Sequence, residues 1–363
     1  MVASISSRNL HYDFVDFIRL LGIAGIVWAH VPIFAPQDFT PLRFDYYFLY
    51  FPFMLIWKFG VINFFMITGF LIKGKLDANP YTYLKKRLRT ISRPYLFALT
   101  LFALLYGYHV VGQLAPNTSL VTSIYHVINK VVLSTSFWFI PSYFISLTIL
   151  VLTRKYIKSM YYGLILFFIT LVIGITSTYF PLIAIPHLDI AFGYLFFLWL
   201  GYTLNDKLLI DKIMLKSNFI PLLILAVSCL GLSCLESYQL CIDKFPTYFN
   251  ILRLSNIAYS IAMFMLMMHF FNHVQISNIL LKLKSNSFEL YLYHPIFAWV
   301  IAPKAGLIIQ SFFGIKIFKY SFMHFSMVFI FTYLLIFLAS YILVRALERY
   351  KILSWDLKLV GRL

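Results

Sequence analysis

Carboxylates are scarce in this sequence: 13 Asp and Glu stand against 30 Lys and Arg in 363 residues. Few of them fall inside apolar stretches, and no internal repeat is evident. A transporter built from related halves around intramembrane acids therefore gains no support. Cysteine is scarcer still. Cys229, Cys234 and Cys241 have no metal-ligand spacing, and an odd count argues against a disulfide framework. No metal site is expected. The first apolar run is too long for a signal-peptide core, holds Asp16 and Arg19, and has no small-residue cleavage site behind it. No stretch reads as an appended soluble domain, so residues 1–363 are expected to form one membrane-embedded domain.

What the chain has in abundance is apolar surface. Hydrophobic residues make up 61%, Phe and Tyr number 39 and 26, and the mean hydropathy is +0.84. A soluble protein of this length cannot hide so much of it. The expectation is an all-α, polytopic integral membrane bundle of about ten transmembrane helices. The segments run near Phe14–Phe34, Phe59–Ile72, Tyr95–Val111, Phe137–Leu152, Tyr161–Phe180, Ile190–Leu204, Phe219–Leu235, Ile257–Phe271, Phe288–Ala302 and Phe322–Val344. Between the first two, the aromatic stretch Gln37–Trp57, broken by Pro41 and Pro52, suits an interfacial loop or short surface helix. Ile124–Ser134 is amphipathic and suits the interface as well. The most basic stretch, from Lys73 to Arg93, reads as a loop stopped by Pro94.

The formal charge of +17 has a topological explanation. With both termini cytoplasmic, 21 of the 30 Lys and Arg fall in the termini and cytoplasmic loops, and 6 fall in the opposite loops. Arg19, Lys58 and Arg253 lie in or at the edge of segments. This asymmetry follows the positive-inside rule, so the basic balance points to a membrane and its lipids, not to nucleic acid.

The first segment carries Arg19 and His30 eleven positions apart. Eleven helical steps are three turns plus roughly 20°, so both side chains share one face, with a rise of about 16 Å between them. Arg19 could snorkel beside Asp16, and His30 could be a satisfied interfacial residue. Together on one face they favour a polar path through the bundle. His294 stands in the ninth segment beside Pro295, as a packing residue or a second site residue. Glu289, five positions earlier, lies roughly 140° away around the helix and is an unlikely partner. His109, His126, His187, His269, His273 and His324 read as interfacial. His269 and His273 are an i, i+4 pair without a third ligand.

Six motifs in order give the chain a resemblance. Asp16-x-x-Arg19 with His30 resembles the Arg-x10-His opening of the acyltransferase 3 family of membrane-bound acyltransferases. Asn63-Phe-Phe-Met-Ile-Thr-Gly-Phe-Leu resembles its Phe-Phe-x-x-Ser-Gly-Phe-Leu segment, with Thr68 in place of Ser. Lys85-Lys-Arg-Leu-Arg89 ahead of Arg93-Pro-Tyr95 resembles its Arg-rich loop before Pro-Tyr, with a longer gap than in many members. Phe137-Trp-Phe-Ile-Pro141, Phe196-Phe-Leu-Trp-Leu-Gly-Tyr202 and Ser287-Phe-Glu-Leu-Tyr-Leu-Tyr-His294 resemble its Trp-Phe-Leu, Phe-x-x-Gly-Tyr and Ser-x-x-x-Tyr-Leu-x-His segments.

The resemblance implies an enzyme of the bacterial inner membrane. It would take an acyl group, usually acetyl, from acetyl-CoA in the cytoplasm and pass it to a hydroxyl of a surface polysaccharide or lipid-linked oligosaccharide. His30 is then the candidate general base, with an acyl-histidine relay as the alternative. Arg19 would hold the pantetheine arm or the developing oxyanion. Lys86, Arg87, Arg89 and Arg93 would meet the phosphates of coenzyme A, and His294, Thr68, Asn63 and Trp138 are further candidates. Aromatic residues of Phe44–Trp57 could stack on sugar faces. The competing reading is a transporter or flippase of a lipid-linked glycan.

Overall fold

The computed structural model describes residues 13–31, 44–111, 119–133, 135–180, 189–271, 286–303 and 322–349. Among them every regular element is helical. The helices are α1 (Asp13–Ala29), α2 (Phe44–Leu55), α3 (Gly60–Ala78), α4 (Pro80–Val111), α5 (Leu120–Leu133), α6 (Phe139–Leu152), α7 (Met160–Tyr179), α8 (Leu195–Leu204), α9 (Lys207–Ile213), α10 (Phe219–Ile242), α11 (Leu254–Phe271), α12 (Ser287–Pro295) and α13 (Phe322–Arg349). A π-helical stretch, Ile296–Ile301, follows α12, and short 3-10 turns precede α6 and α8. Among the described residues six helical spans are long and apolar enough to cross a membrane. A seventh is added if the bent pair α5 and α6 counts as one.

Two boundaries differ from those read in the sequence. The basic run is no loop: it forms the last turns of α3 and the first turns of α4, which continues through Pro94 to Val111. Proline removes one backbone hydrogen bond and crowds the preceding turn, yet a membrane helix with neighbours tolerates that break. Asn79 alone joins α3 to α4. Its backbone N–H donates to Lys75 O at 3.2 Å and its side chain accepts from Thr82 N at 3.2 Å, so one residue closes one helix and opens the next. The aromatic stretch is not a surface loop where it is described. α2 packs against α10, with Tyr47, Tyr50, Phe51 and Leu55 buried.

The bundle is organised on α3, which lies against both α8 and α1 at backbone contact. A Cβ on Gly69 would overlap the carbonyl of Leu198, and one on Gly201 would overlap that of Met66. A Cβ on Gly60 would sit 2.8 Å from Gly22 O, and one on Gly25 would sit 2.6 Å from Trp57 O. In lipid, where apolar side chains gain little by leaving one apolar medium for another, close approach of small residues is what holds helices together. The ends are tied by polar bonds: Asn205 Nδ2 donates to Phe70 O at 2.6 Å, and Lys73 Nζ donates to Asn205 O at 2.5 Å. At the far end of α1, Trp28 Nε1 donates to Phe53 O at 3.2 Å while its ring meets Phe329 and Tyr333 of α13. The outer faces of α7, α10 and α13 expose Tyr161, Phe168, Ile224, Val227, Phe331 and Ile342, a surface suited to lipid.

Arg253, just ahead of α11, is fully buried, although its place at a segment edge offered little reason to expect that. Its guanidinium donates to Asn250 O at 3.1 Å, Ser233 O at 3.0 Å, Ser233 Oγ at 3.1 Å and Ser237 Oγ, and lies 3.9 Å from Glu236. Glu236 in turn accepts from Tyr179, Ser255 Oγ and Ser255 N. The planar fork of arginine suits this set of acceptors, and lysine has no equivalent.

Two stability outcomes follow. Gly201→Leu forces α8 off α3 and costs about 1–3 kcal/mol or more by overpacking; an unchanged Tm in detergent would contradict the backbone contact. Arg253→Met leaves the Glu236 carboxylate buried without its cation, a loss of roughly 3–5 kcal/mol. Adding Glu236→Leu to Arg253→Met is expected to recover part of the lost Tm.

Candidate active site

Arg19 lies on α1 and His30 in the turn that closes it, on one continuous stretch of backbone. The His30 backbone N–H donates to Val27 O at 3.1 Å, which leaves the Ile26 carbonyl to be capped by another donor. The imidazole supplies it: His30 Nδ1 donates to Ile26 O at 2.7 Å. A carbonyl can only accept, so Nδ1 carries the proton, and in the neutral ring Nε2 keeps its lone pair.

His294 is held in the same manner by a different cause. Pro295 has no N–H to give the Tyr291 carbonyl, and His294 Nδ1 donates to that oxygen instead, at 2.7 Å. His294 is fully buried, and its Nε2 has no hydrogen-bond partner among the described residues. α12 packs against α1, and the two imidazoles meet there with ring centroids 5.2 Å apart and planes tilted by 58°. Of the two roles open to His294 in the sequence, a packing residue or a site residue, the geometry places it beside His30. The His-Pro step was the available signal. The distance across helices was not readable.

About three turns along α1 from His30, cations gather. Arg87 of α4 is half-buried, donates from Nε to Tyr83 OH at 3.0 Å and lies over the Tyr83 ring at 5.6 Å. Arg19 lies within electrostatic reach of Arg87, Tyr83 and Tyr143, with Asp16 as the attracting carboxylate. Lys75 feels Arg87, Lys86 and Arg19, and its ammonium also stands over the Tyr83 ring, at 5.6 Å. Lys75 and Arg87 thus share one aromatic ring, and with Arg19 in electrostatic reach the cluster could take an anion. Lys86, Arg89 and Arg93 are exposed on α4. The basic group read from the sequence therefore divides: Arg87 bonds the buried Tyr83, and the other three are exposed. Lys75, Tyr83 and Tyr143 were not singled out in the sequence, where they look like an ordinary helix end and core aromatics.

The remaining candidates have surroundings of their own. Thr68 Oγ1 donates to Phe64 O of its own helix at 2.9 Å. Asn63 is fully buried, and neither atom of its amide has a partner among the described residues. Trp138 is buried at the junction of α5 and α6, stacked on Tyr194 at 5.6 Å. His126 is exposed, and His269 bonds to Ile213 O at 2.9 Å and stacks on Phe219. The side chains of His109, His187, His273 and His324 lie outside the described residues, as does the step from His269 to His273. Among the described residues no three His, Cys, Asp or Glu side chains gather as a metal site would require, and Cys229, Cys234 and Cys241 are free thiols.

With this geometry in place, comparison with known proteins adds one finding. Neither a curated protein nor a solved structure matches the chain. A family model described as an acyltransferase domain matches residues 12–345, from the start of α1 to near the end of α13. The match takes in the histidine pair, the cation cluster and every helix between them, and on that ground the chain is a member of the acyltransferase 3 family.

Proposed function

We propose that this membrane acyltransferase moves an acyl group, acetyl in the first instance, from coenzyme A in the cytoplasm to a hydroxyl of a surface polysaccharide. The observation that carries the reading is the meeting of His30 and His294, each with Nδ1 tied to a backbone carbonyl and Nε2 left as the basic atom. α1, the short span Ala191–Leu204 and the helix of α12 with its π-helical extension are apolar but short. Counted as crossings beside the six long spans and the bent pair, they give ten, with both termini on the basic, cytoplasmic side. The cytoplasmic membrane of a bacterium is a setting that suits this topology and a cytoplasmic acyl-CoA donor.

In that orientation Arg19, Lys75 and Arg87 face the donor side and His30 the acceptor side. The diphosphate and 3′-phosphate of coenzyme A are polyanions. They meet the inward Arg19–Arg87 cluster and the exposed Lys86, Arg89 and Arg93 of α4. The distance of about 16 Å along α1 is the reach of an extended pantetheine arm. The hydroxyl oxygen then attacks the thioester carbonyl as His30 Nε2 takes its proton. The C–O bond forms, the C–S bond breaks, and the proton passes to the thiolate. While His30 holds that proton it can donate to His294 Nε2, a charge-assisted bond that stabilises the imidazolium. In this reading Arg19 acts on the donor and is too far along the helix to touch the reacting carbonyl.

Removing the base is expected to lower transfer about 10²–10⁴-fold. O-acylation of the surface polysaccharide in cells carrying His30→Ala or His294→Ala, with the protein inserted normally, measures this; full O-acylation in His30→Ala would refute the mechanism. Loss of one charge-assisted contact to phosphate, about 1.5–3 kcal/mol, weakens donor binding at least tenfold. Arg87→Gln is expected to raise the Kd for coenzyme A accordingly, more than Arg93→Gln does, and equal effects would contradict the inward placement of Arg87.

A further inference from the structure

Acyl transfer builds negative charge on the thioester carbonyl oxygen, and a site that lowers this barrier aims a donor at it. Arg19 is engaged about 16 Å from His30, so the donor comes from elsewhere. The place to look is the junction of α5 and α6. There Leu120–Leu133 and Ser136–Leu152 meet at 76° within an otherwise apolar span. Such a break frees backbone polar groups that lipid cannot satisfy, so it persists only where protein supplies the partners.

Those partners can be followed one at a time. Thr135 Oγ1 donates to Val131 O at 2.5 Å and accepts from Phe137 N at 3.4 Å, so Thr135 acts as the cap of the new helix. Tyr95 OH of α4 donates to Phe137 O at 3.3 Å, and Tyr291 OH of α12 donates to Ser136 O. One group is left over. Ser136 is buried, and its hydroxyl has no partner among the described residues although capping does not need it. Buried hydroxyls are seldom left so unless something else fills the place.

Tyr291 links this hydroxyl to the histidine pair. At its tip it holds the Ser136 carbonyl. Its ring lies 5.9 Å from the ring of His294, and its own carbonyl takes the His294 Nδ1 proton. Ser136 Oγ and His294 Nε2 are thus two buried, unpartnered polar atoms at either end of one tyrosine, with His30 beyond the second. The start of α6 adds the positive end of a helix dipole at the same point.

We propose that Ser136 is a further catalytic residue of the transfer site and donates its O–H to the carbonyl oxygen of the acyl thioester. The inference rests on the acyltransferase reading above. As the acceptor oxygen adds, the carbonyl π electrons move onto oxygen and the Ser136 hydrogen bond shortens. As the tetrahedral centre collapses, the C–S bond breaks and the thiolate takes the proton that His30 removed. Ser136 keeps its own proton throughout.

The test uses membranes carrying the full chain, acetyl-CoA and the cells' own polysaccharide, with donor binding read from a non-transferable thioether analogue of acetyl-CoA. Ser136→Ala is expected to lower kcat about 10²–10³-fold, as loss of an oxyanion donor does, with the analogue's Kd and the Tm unchanged. Ser136→Thr, which retains the hydroxyl, is expected to restore much of the rate. Wild-type turnover in Ser136→Ala overturns the proposal. So does a parallel loss of analogue binding or Tm, which would make Ser136 structural. If the wild-type chain transfers no acetyl group at all, the parent reading fails and this one with it. Transfer that depends on His30 but not on Ser136 overturns this one alone.

Discussion

Inside a bilayer a polar group without a partner costs several kcal/mol, and the arrangement of this bundle follows from that constraint. Arg253 answers it completely, with carbonyl, hydroxyl and carboxylate acceptors drawn from α10 and the turn before α11. The junction of α5 and α6 answers it with two tyrosines from other helices, and His294 answers it for a carbonyl that Pro295 abandons. Beside these answered groups, the buried side-chain atoms left without a partner among the described residues carry information. His294 Nε2 and Ser136 Oγ are two of them: the first adjoins His30, and the second is linked to it through Tyr291.

The glycine contacts determine where that face stands. Gly22 and Gly25 bring α1 onto the end of α2 and the start of α3, and Gly69 and Gly201 bring α3 onto α8. Trp28 then pins the His30 end of α1 to α2 and α13. The basic atoms are in this way mounted on helices with little freedom to slide, which is what proton transfer over hydrogen-bond distances demands.

Much of this could be read from residue order. The membrane class followed from apolar runs, and the family from six short motifs, because both are local properties. Helical periodicity placed Arg19 and His30 on one face as an expectation, and the structure puts His30 in the turn just beyond α1. What escaped was everything that depends on which helices are neighbours. Arg87 and Arg89 look equivalent in sequence, yet one bonds Tyr83 inside the bundle and the other faces outward. Pro94 looked like a stop, because its neighbours' capacity to cover a broken hydrogen bond is a tertiary property. His294 had a visible local oddity in its proline neighbour, but its meeting with His30 joins positions 264 residues apart in number.

The length of α4 has a further consequence. Its 32 residues measure about 48 Å, against a hydrocarbon core of about 30 Å. The apolar part after Pro94, Tyr95–Val111, measures about 26 Å and accounts for most of that core, so the basic turns stand at its edge as a rigid post. On the proposed reading, a donor gripped there would keep its phosphates at the membrane edge and send only its neutral arm and acyl group inward. Most of the Born energy of carrying a polyanion into hydrocarbon would then never arise, and the bilayer itself would sort the part of the substrate that enters from the part that stays behind.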